Sequence, residues 1–462
     1  MDERQLRLKL KRAGTLAKKR DNIKSIALCK KIINAAPQEP HAYKLLVTNL
    51  IALKRFDEVE ENLKKVLTIL SGEESNVLVH LLGCNYLKQE KYSDALTILE
   101  GLFNQTGHSH ILLDIGLALF HLGEYKQARE VYLKLIEIEP DHHQAKFNLY
   151  PILLYFEEYK AAWTCFHSRL ERQEIKDQVH WFAPKWNGES LVNKVIIIYP
   201  EQGMGDNLAY SGCFDEAILD AKQTYIICDP RLKKLYEYNF SGAIILSFEQ
   251  INTTHCIDQK VDLQILAGSL SYLYRLSTYS FVQQPLLKIA PHLIEDKRKK
   301  SNQVKLHVGI SWFHGKVNNN NVDSMPLEAL LPLLKIPGIE WVNLQFGEHQ
   351  RERDELKHKY GVDILHFNDC GADSDFDHYG ALISNLDLVI SASNAALMFA
   401  TRLGVKSWMF TPTKEVFFEG GEFTALLAEK NARYFYKKRE PNWDNVVADF
   451  CDEIKLILEE KK

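Results

Sequence analysis

The chain has 462 residues and lacks the features that mark a secreted, nucleic-acid-binding or membrane protein. Its eight cysteines are scattered and form no Cys-x-x-Cys pair, so the sequence indicates neither a zinc site nor a disulfide framework. The formal net charge of -4 gives no electrostatic reason to expect nucleic acid or an anionic membrane as a partner. No apolar run approaches the roughly 20 residues of a membrane span, and the charged N-terminus lacks the apolar core of a signal peptide. We expect a cytoplasmic protein of two to four domains.

The sequence does contain an internal repeat at its N-terminal end. Gly83 recurs as Gly116, and Ala95 recurs as Ala128 and then as Ala162, each time after an interval of about 34 residues. These small residues let two helices approach closely, and a tyrosine three positions before each alanine fills the wedge to the next helix pair. The period and pattern resemble the tetratricopeptide repeat (TPR). About five such pairs are predicted over positions 1–175, the outer ones degenerate as capping repeats tend to be.

A stacked array of this kind forms a groove that usually holds a peptide or a protein. We therefore predict a protein partner for the repeats. The sequence leaves open the alternative that the array is a rigid spacer or a dimerisation face.

The pattern changes after the repeats. Residues 176–192 form an aromatic connector that we expect to be packed, since it is not rich in glycine and serine. From residue 193 onward, short β-branched runs alternate with helical segments, which predicts parallel sheets. We place one Rossmann-like domain at 193–300, a second at 301–440, and a C-terminal helix at 441–462. The predicted fold class is α + α/β, a helical solenoid followed by two α/β domains.

Ligands of such sheets lie beyond the carboxyl ends of the strands. The candidate binding loops are therefore those that follow predicted strands. These strands end at Tyr199, Ser311, Gln345, Leu365 and Ser391.

The most informative loop follows the first of these strands. Residues 201–207 read Glu-Gln-Gly-Met-Gly-Asp-Asn, between an apolar run and a helical segment. The glycines allow a tight reversal, and the first amides of the next helix point toward the turn, where an anionic group can bind. Asp206 is placed to act as a base toward a group lying over the turn. The same residue can also serve as the N-cap of the helix, and the two interpretations do not exclude each other.

The second part of the chain resembles the heptosyltransferase-like glycosyltransferases of GT-B fold, and the whole is similar to fusions in which such a domain follows TPR repeats. The most specific match is the Glu-Gln-Gly-x-Gly-Asp string after a strand. Some of these fusions resemble bacterial flagellin-modifying glycosyltransferases, in which the repeats recruit the protein acceptor. The matching motifs, which cover most of residues 186–412, are Trp186-x-Gly188, 201–206, Gly-Ile-Ser-Trp at 309–312, Ser-Met-Pro-Leu at 324–327, Leu-Gln at 344–345 and Asn-Leu-Asp-Leu-Val-Ile-Ser at 385–391.

The resemblance implies an inverting transfer from a nucleotide-activated sugar, with Asp206 as the catalytic base and with no metal or other cofactor. It places the acceptor at the glycine turn and the donor on the second α/β domain. The implied acceptor-side residues are Glu201, Gln202, Gly203, Gly205 and Asn207. The implied donor-binding residues are Trp312, His314, Lys316, Gln345, Ser391, Ser393, Asn394 and Ala395.

Some residues depart from the family pattern. Where the family usually has Asp-Thr and then a histidine, this chain has Ser393-Asn394 and Met398. These replacements favour a rival hypothesis, a catalytically inactive scaffold that keeps the GT-B body as a binding surface. For Trp312, packing beneath the loop is the alternative to a contact with the donor.

Two other chemistries are disfavoured. The turn lacks the third glycine of a dinucleotide-binding motif, which argues against an oxidoreductase. Asp373, Asp375 and Asp377 alternate like the acids of a calcium loop, but His378 and Ser384 stand where that loop needs glycine and glutamate. A solvated lead-in to the next helix is the favoured interpretation of these acids, and a pair that chelates the metal of a donor is the alternative.

Overall fold

The computed structural model describes residues 2–171, 182–201, 203–253, 257, 260–277, 280, 287–298, 306–313, 324–347, 349–370, 375–411, 432–437 and 442–460. The chain forms two compact units, Met1–Ile152 and Leu153–Lys462. This division lies before residue 175, where we predict the repeat domain to end, and the exact domain boundaries stay a prediction. No helix in the described ranges is long and apolar enough to cross a membrane.

The first unit consists of helices throughout residues 2–152. Each helix buries an apolar stripe, as in the helix Phe56–Val66, where Val59, Leu63 and Val66 are fully buried while Lys64 and Lys65 stay exposed. The helices are α1 (Glu3–Lys18), α2 (Asn22–Ala35), α3 (Pro40–Ala52), α4 (Phe56–Val66), α5 (Glu73–Lys88), α6 (Tyr92–Thr106), α7 (His110–His121), α8 (Tyr125–Ile138) and α9 (His143–Tyr155), the last of which continues into the second unit.

The turns inside the helix pairs share one backbone feature, a residue in the left-handed conformation. The φ angle is 61° at Arg20, 58° at Lys54, 60° at Glu90, 80° at Gly123 and 58° at Glu157. These positions recur at intervals of about 34 residues, the same period that the small residues predict. The helical array is therefore a true repeat of one local structure.

The predicted small residues lie where two helices of a pair touch. A Cβ added at Gly83 would lie 2.6 Å from Cδ2 of Leu99. At Gly116 it would lie 2.5 Å from Cε1 of Tyr132, a side chain only 1% exposed and therefore unable to move aside. In both pairs the first helix presents its backbone to a large side chain of the second, so a larger residue at either glycine would have to displace that side chain.

The second unit alternates strands and helices in the way the sequence predicts, which confirms the α + α/β class. Its elements are α10 (Tyr159–Phe166), β1 (Val195–Tyr199), α11 (Met204–Tyr210), α12 (Phe214–Asp220), β2 (Gln223–Cys228), α13 (Lys233–Asn239), β3 (Ala243–Ser247), α14 (Phe248–Thr253), β4 (Leu263–Leu266), α15 (Ser271–Tyr274), α16 (Pro291–Arg298), β5 (Leu306–Ser311), α17 (Leu331–Leu334), β6 (Ile339–Asn343), α18 (Gln350–Tyr360), α19 (Phe376–Ile383), β7 (Leu388–Ser391), α20 (Ala395–Arg402), β8 (Ser407–Thr411), β9 (Ala432–Tyr436) and α21 (Asp444–Glu460).

These strands form two parallel sheets, ordered β3-β2-β1-β4 and β6-β5-β7-β8-β9. Every residue of β1, β4, β5, β7 and β8 is buried, as expected of parallel strands that are covered on both faces. The order in which the chain adds strands changes direction between β1 and β4 in the first sheet and between β5 and β7 in the second. Each of these two places is the winding reversal of its sheet. Ligands of open α/β sheets bind at such reversal points, so the loops after these four strands are the structural candidates for a site.

Two elements of the second sheet differ from the prediction. The predicted strand at 362–365 is wrong, because its backbone forms only an isolated bridge between Leu365 and Val342 beside β6. Leu365 makes two backbone hydrogen bonds to β6, with Trp341 and Asn343, and the described residues on either side of it form no regular strand. The edge strand β9 was not predicted, and all of its residues are at least partly exposed except the buried Phe435.

The segment before the first sheet is packed against it. Lys185 bridges Gln264 of β4, Trp186 donates its backbone N–H to the Gln264 carbonyl oxygen at 2.9 Å, and the Trp186 ring is buried. Helix α10 is attached in the same region, since the fully buried Trp163 donates its indole N–H to the Arg275 carbonyl oxygen at 2.6 Å. The described part of the predicted connector is thus packed beside β4, the edge strand of the first sheet.

Replacing Gly116 by alanine should destabilise the protein by about 1–3 kcal/mol, because the added methyl overlaps the Tyr132 ring in a closely packed interface. Gly101 is the matched control, since it is a helical glycine with nothing within 4 Å of an added Cβ. Gly101→Ala should stabilise by about 0.5–1 kcal/mol through helix propensity alone. Urea unfolding followed by circular dichroism measures both changes, and equal effects of the two substitutions would contradict the close approach at Gly116.

Candidate active site

The turn after β1 is held in shape by Asn207. Its side-chain oxygen accepts from the Glu201 backbone N–H at 2.9 Å, and its amide donates to the carbonyl oxygens of Glu201 at 3.1 Å and Gly203 at 2.8 Å. The Asn207 side chain thereby closes the loop on itself. The buried Tyr236 hydroxyl fixes the other end by donating to the Asn207 carbonyl oxygen at 2.8 Å. These bonds give Asn207 a role in positioning the turn, and its contact with an acceptor stays a prediction.

Glu201 ties the turn to the neighbouring loop after β4. Its Oε1 accepts from Nη2 of Arg169 at 2.8 Å and from the Gly268 backbone N–H at 2.9 Å. The two side chains of this ion pair are only 4% and 8% exposed. Arg169 also donates to Ser269 Oγ at 2.9 Å, and a Cβ at Gly268 would lie 2.6 Å from Glu201 Oε1. The turn is therefore anchored at the winding reversal of the first sheet by a buried, hydrogen-bonded ion pair.

Asp206 lies in the first turn of α11, whose N-cap is Gly203. The Gly203 backbone N–H donates to the Asp206 carboxylate, the return half of a capping box. Burial raises the pKa of Asp206 to about 7, the negative charge of Glu201 adds to this effect, and the Gly203 hydrogen bond and Arg169 oppose it. A carboxyl group with a pKa near neutrality is suited to accept a proton at physiological pH.

The polar residues at the reversal point of the second sheet form one hydrogen-bonded cluster. Asn394 Nδ2 donates to Ser311 Oγ at 2.7 Å, Ser311 Oγ donates to Gln345 Oε1 at 3.0 Å, and Ser391 Oγ donates to Asn394 Oδ1 at 3.0 Å. Gln345 Oε1 also accepts from the Phe313 backbone N–H at 2.7 Å. The structure therefore brings together three of the residues predicted to bind a donor, Gln345, Ser391 and Asn394.

Asn394 is also the N-cap of α20. Its Oδ1 accepts from the Ala396 and Leu397 backbone N–H groups at 3.0 and 3.4 Å. The sequence suggests a cap that leaves the helix amides free for a ligand. The structure corrects that expectation, because the side chain of Asn394 itself takes two of them. Ala395 is the first residue of the helix, and Ser393 lies just before the cap.

The two loops meet backbone to backbone. A Cβ on Gly205, the residue before Asp206, would lie 3.7 Å from Ala395 Cα and 3.8 Å from Ala395 N. The first turn of α11 and the first turn of α20 thus pack against each other. The turn that carries Asp206 and the loop that carries Asn394 are therefore direct neighbours.

Trp312 is placed differently from the other candidates. It is 1% exposed and donates its indole N–H to Glu352 Oε2 at 2.7 Å, which supports the packing alternative. Its edge lines a cavity of about 440 Å³ beyond the end of β5, together with Phe313, Met325 and Tyr360. A donor contact for Trp312 stays a prediction.

Three predicted site residues, Gln202, His314 and Lys316, lie outside the described residues, as does Asp373 of the alternating acids. Asp375 is described and pairs with Lys234 at 2.6 Å. Three other residues of the site were missed by the sequence analysis: Arg169, Gly268 and Ser311. Ser311 was signalled only as a strand end, and nothing local marks Arg169, whose partner Glu201 is 32 residues away.

Comparisons with known proteins agree with the helical repeat. The tetratricopeptide repeat family model matches residues 109–142, which confirms the repeat predicted around Gly116 and Ala128. The curated Protein FlbA of Caulobacter vibrioides is 25% identical in an alignment 405 residues long that covers 82% of this chain and 66% of FlbA. The chain thus spans just under two thirds of the length of that relative.

Solved TPR structures are similar to a limited part of the chain. MamA from Desulfovibrio magneticus RS-1 is 16% identical, with a TM-score of 0.33 over 38% of this chain and 99% of MamA. YrrB, described as a TPR protein with an unusual peptide-binding site, is 18% identical, with a TM-score of 0.30 over 36% of this chain and 85% of YrrB. At such scores these similarities carry no argument about function.

Replacing Asp206 by asparagine should stabilise the fold at neutral pH, because it removes a carboxylate that burial disfavours. The unfolded carboxyl, with an ordinary pKa of 3.8, ionises at lower pH than the folded one, with its pKa of about 7. The wild type should therefore lose stability relative to Asp206→Asn as the pH rises from about 4 to about 7, and the difference should be constant above that range.

Urea unfolding at a series of pH values measures this difference. Asp452→Asn is the control, since the Asp452 side chain is 78% exposed and its replacement should leave the pH profile nearly unchanged. A stability difference for Asp206→Asn that does not vary between pH 4 and 7 would contradict the raised pKa.

Proposed function

We propose that the protein is an inverting glycosyltransferase that moves a sugar from a nucleotide-activated donor to an acceptor, with Asp206 as the general base. One observation carries the proposal: the partly buried Asp206 carboxyl, with a pKa raised to about 7, lies on a turn that packs against the first turn of α20. In this proposal Asp206 accepts a proton at the winding reversal of one sheet, beside the winding reversal of the other. The order of motifs resembles that of heptosyltransferase-like enzymes and supports the same conclusion.

The proposed reaction needs one proton acceptor. The acceptor hydroxyl attacks the anomeric carbon of the donor sugar, and its proton passes to the Asp206 carboxylate. The new carbon–oxygen bond forms as the bond from the anomeric carbon to the nucleotide phosphate breaks, on the opposite face, so the configuration inverts. Burial and the negative charge of Glu201 raise the pKa of Asp206, which makes the carboxylate a stronger base, and Arg169 partly offsets the effect of Glu201.

The departing nucleotide phosphate gains negative charge that the second sheet would have to stabilise. The Ala396 and Leu397 amides are engaged by Asn394, so the contribution of the α20 terminus is smaller than the sequence implies. Lys316, which the resemblance assigns to this task, lies outside the described residues. The proposed reaction uses no metal.

We further propose that the acceptor is a protein recruited by the repeats. The family model establishes a tetratricopeptide repeat at 109–142, and such arrays present extended surfaces for protein partners. A flagellin is the kind of acceptor that the resemblance implies. The repeats would then determine which protein is modified, and the α/β unit would carry out the transfer.

The second candidate function is a scaffold without catalysis. It is favoured by the cluster of Ser311, Gln345, Ser391 and Asn394, whose side chains bond to one another. A nucleotide would have to compete with these bonds or use backbone groups. In this case the α/β unit would present a protein-binding surface in addition to that of the repeats.

A thermal-shift screen of the full chain with nucleotides and nucleotide sugars, with and without EDTA, separates the two candidates. A ligand that binds the native state stabilises it by mass action and so raises the melting temperature. At a ligand concentration of 100 times Kd, the gain in the free energy of unfolding is about 2.7 kcal/mol. A shift with one nucleotide class that EDTA leaves unchanged supports the transferase. No shift with any nucleotide supports the scaffold.

Once a donor is found, Asp206→Asn should lower kcat for transfer by about 10²–10⁴-fold, the usual contribution of a general base, and leave the donor-induced thermal shift in place. In the wild type, kcat/KM should rise with pH up to about 7 and then level, because only ionised Asp206 accepts a proton. Asp215→Asn is the matched control, since burial also raises the pKa of Asp215 but it lies on α12, away from the turn. Undiminished transfer by Asp206→Asn would remove this residue from the mechanism.

A further inference from the structure

A second group of reactive side chains lies in the helical unit, on α5 and α7. His80 and Cys84 are one turn apart on α5, and Asp114 faces them from α7. The His80 Nε2 atom lies 2.7 Å from Asp114 Oδ2, and Cys84 Sγ lies 3.8 Å from His80 Nε2 and 3.7 Å from Asp114 Oδ2. All three side chains are partly exposed, so an ion can reach them from solvent.

The distances between these three side-chain atoms are close to the distances between the ligand atoms of one metal ion. Zinc binds imidazole nitrogen and carboxylate oxygen at about 2.0–2.2 Å and thiolate sulfur at about 2.3 Å, so tetrahedral ligand atoms lie roughly 3.3–3.8 Å apart. The three ligand atoms here lie within 4.8 Å of one another. Only the distance between His80 and Asp114 has to open, from hydrogen-bond length by less than an ångström, and both side chains are partly exposed.

We propose that His80, Cys84 and Asp114 bind a Zn²⁺ ion that links two successive helix pairs of the repeat array. A set of imidazole, thiolate and carboxylate suits zinc among the common divalent metals, whereas calcium and magnesium take oxygen ligands only. This site is separate from the proposed transferase reaction, which uses no metal.

His110 is placed to complete the coordination. It lies one turn before Asp114 on α7, and its ring centroid is 5.1 Å from that of His80. The pairs of residues 80 and 84 and of residues 110 and 114 both have the i, i+4 spacing that puts two side chains on one helix face. His110 is exposed, and its ring would have to rotate to supply a fourth ligand; water would fill that position otherwise.

Without an ion the cluster is held by two contacts to Asp114 Oδ2, one from His80 Nε2 at 2.7 Å and one from the Cys84 thiol, which donates its proton at 3.7 Å. Binding of Zn²⁺ replaces that proton, and the sulfur becomes a thiolate ligand. The alternative is that the cluster is only a hydrogen-bonded contact between two helices, and the experiment is designed to separate the two.

The test is a titration of the full chain, freed of metal with a chelator, with Co²⁺ as a spectroscopic probe for the zinc site. One equivalent of Co²⁺ should produce a thiolate-to-cobalt charge-transfer band, and Zn²⁺ should displace it. Cys84→Ser should abolish the band. Asp114→Asn should weaken Co²⁺ binding by at least the roughly 10–100-fold that even loss of an outer-shell partner costs.

Cys451→Ser is the matched control, since Cys451 is also a partly buried thiol on a helix, and this variant should keep the band. Zn²⁺ should raise the melting temperature of the wild type and of Cys451→Ser but not that of Cys84→Ser. The proposal is overturned if the wild type shows no charge-transfer band at saturating Co²⁺. It is equally overturned if Cys84→Ser and Asp114→Asn bind the ion as the wild type does.

Discussion

The buried ion pair between Arg169 and Glu201 supports the loop on which the proposed chemistry depends. Burying two charges is costly, and such a pair is tolerated only when other hydrogen bonds satisfy both groups. Here Gly268 donates to the same Glu201 oxygen, and Ser269 accepts from Arg169. Loss of either partner would leave a charge buried alone, which typically costs about 3–5 kcal/mol. The same pair sets the field around Asp206, because Glu201 raises the pKa of Asp206 and Arg169 partly offsets that effect.

The features that sequence predicts best are those encoded by neighbouring residues. The apolar run 195–199 followed by a glycine turn predicted a buried strand and a helix, and both are present as β1 and α11. The regular recurrence of Gly83 as Gly116 predicted a helical repeat, and the family model confirms it for 109–142. Hydrophobic periodicity and turn-forming residues depend on positions that are close together in the chain, so they can be recognised in a single sequence.

The features that escape prediction depend on residues far apart in the chain. Nothing near Arg169 shows that it pairs with Glu201, and the bonds that occupy Asn394 come from Ser311, 83 residues earlier. Asp206 was open to two interpretations because the sequence does not reveal which residue caps α11, and the structure identifies the cap as Gly203. The cluster of His80, Cys84 and Asp114 was invisible for the same reason, since cysteine spacing is informative only when the ligands share one short motif.

The left-handed turns of the helical array are positions at which a substitution can stabilise the array. A residue with a Cβ pays roughly 1–2 kcal/mol to adopt this conformation, and four of the five turns place arginine, lysine or glutamate there. Among these five, only the turn at Gly123 is relaxed, and it lies in the segment that the family model matches. Glycine at Arg20, Lys54, Glu90 or Glu157 would therefore relieve backbone strain in the solenoid and leave every helix face unaltered.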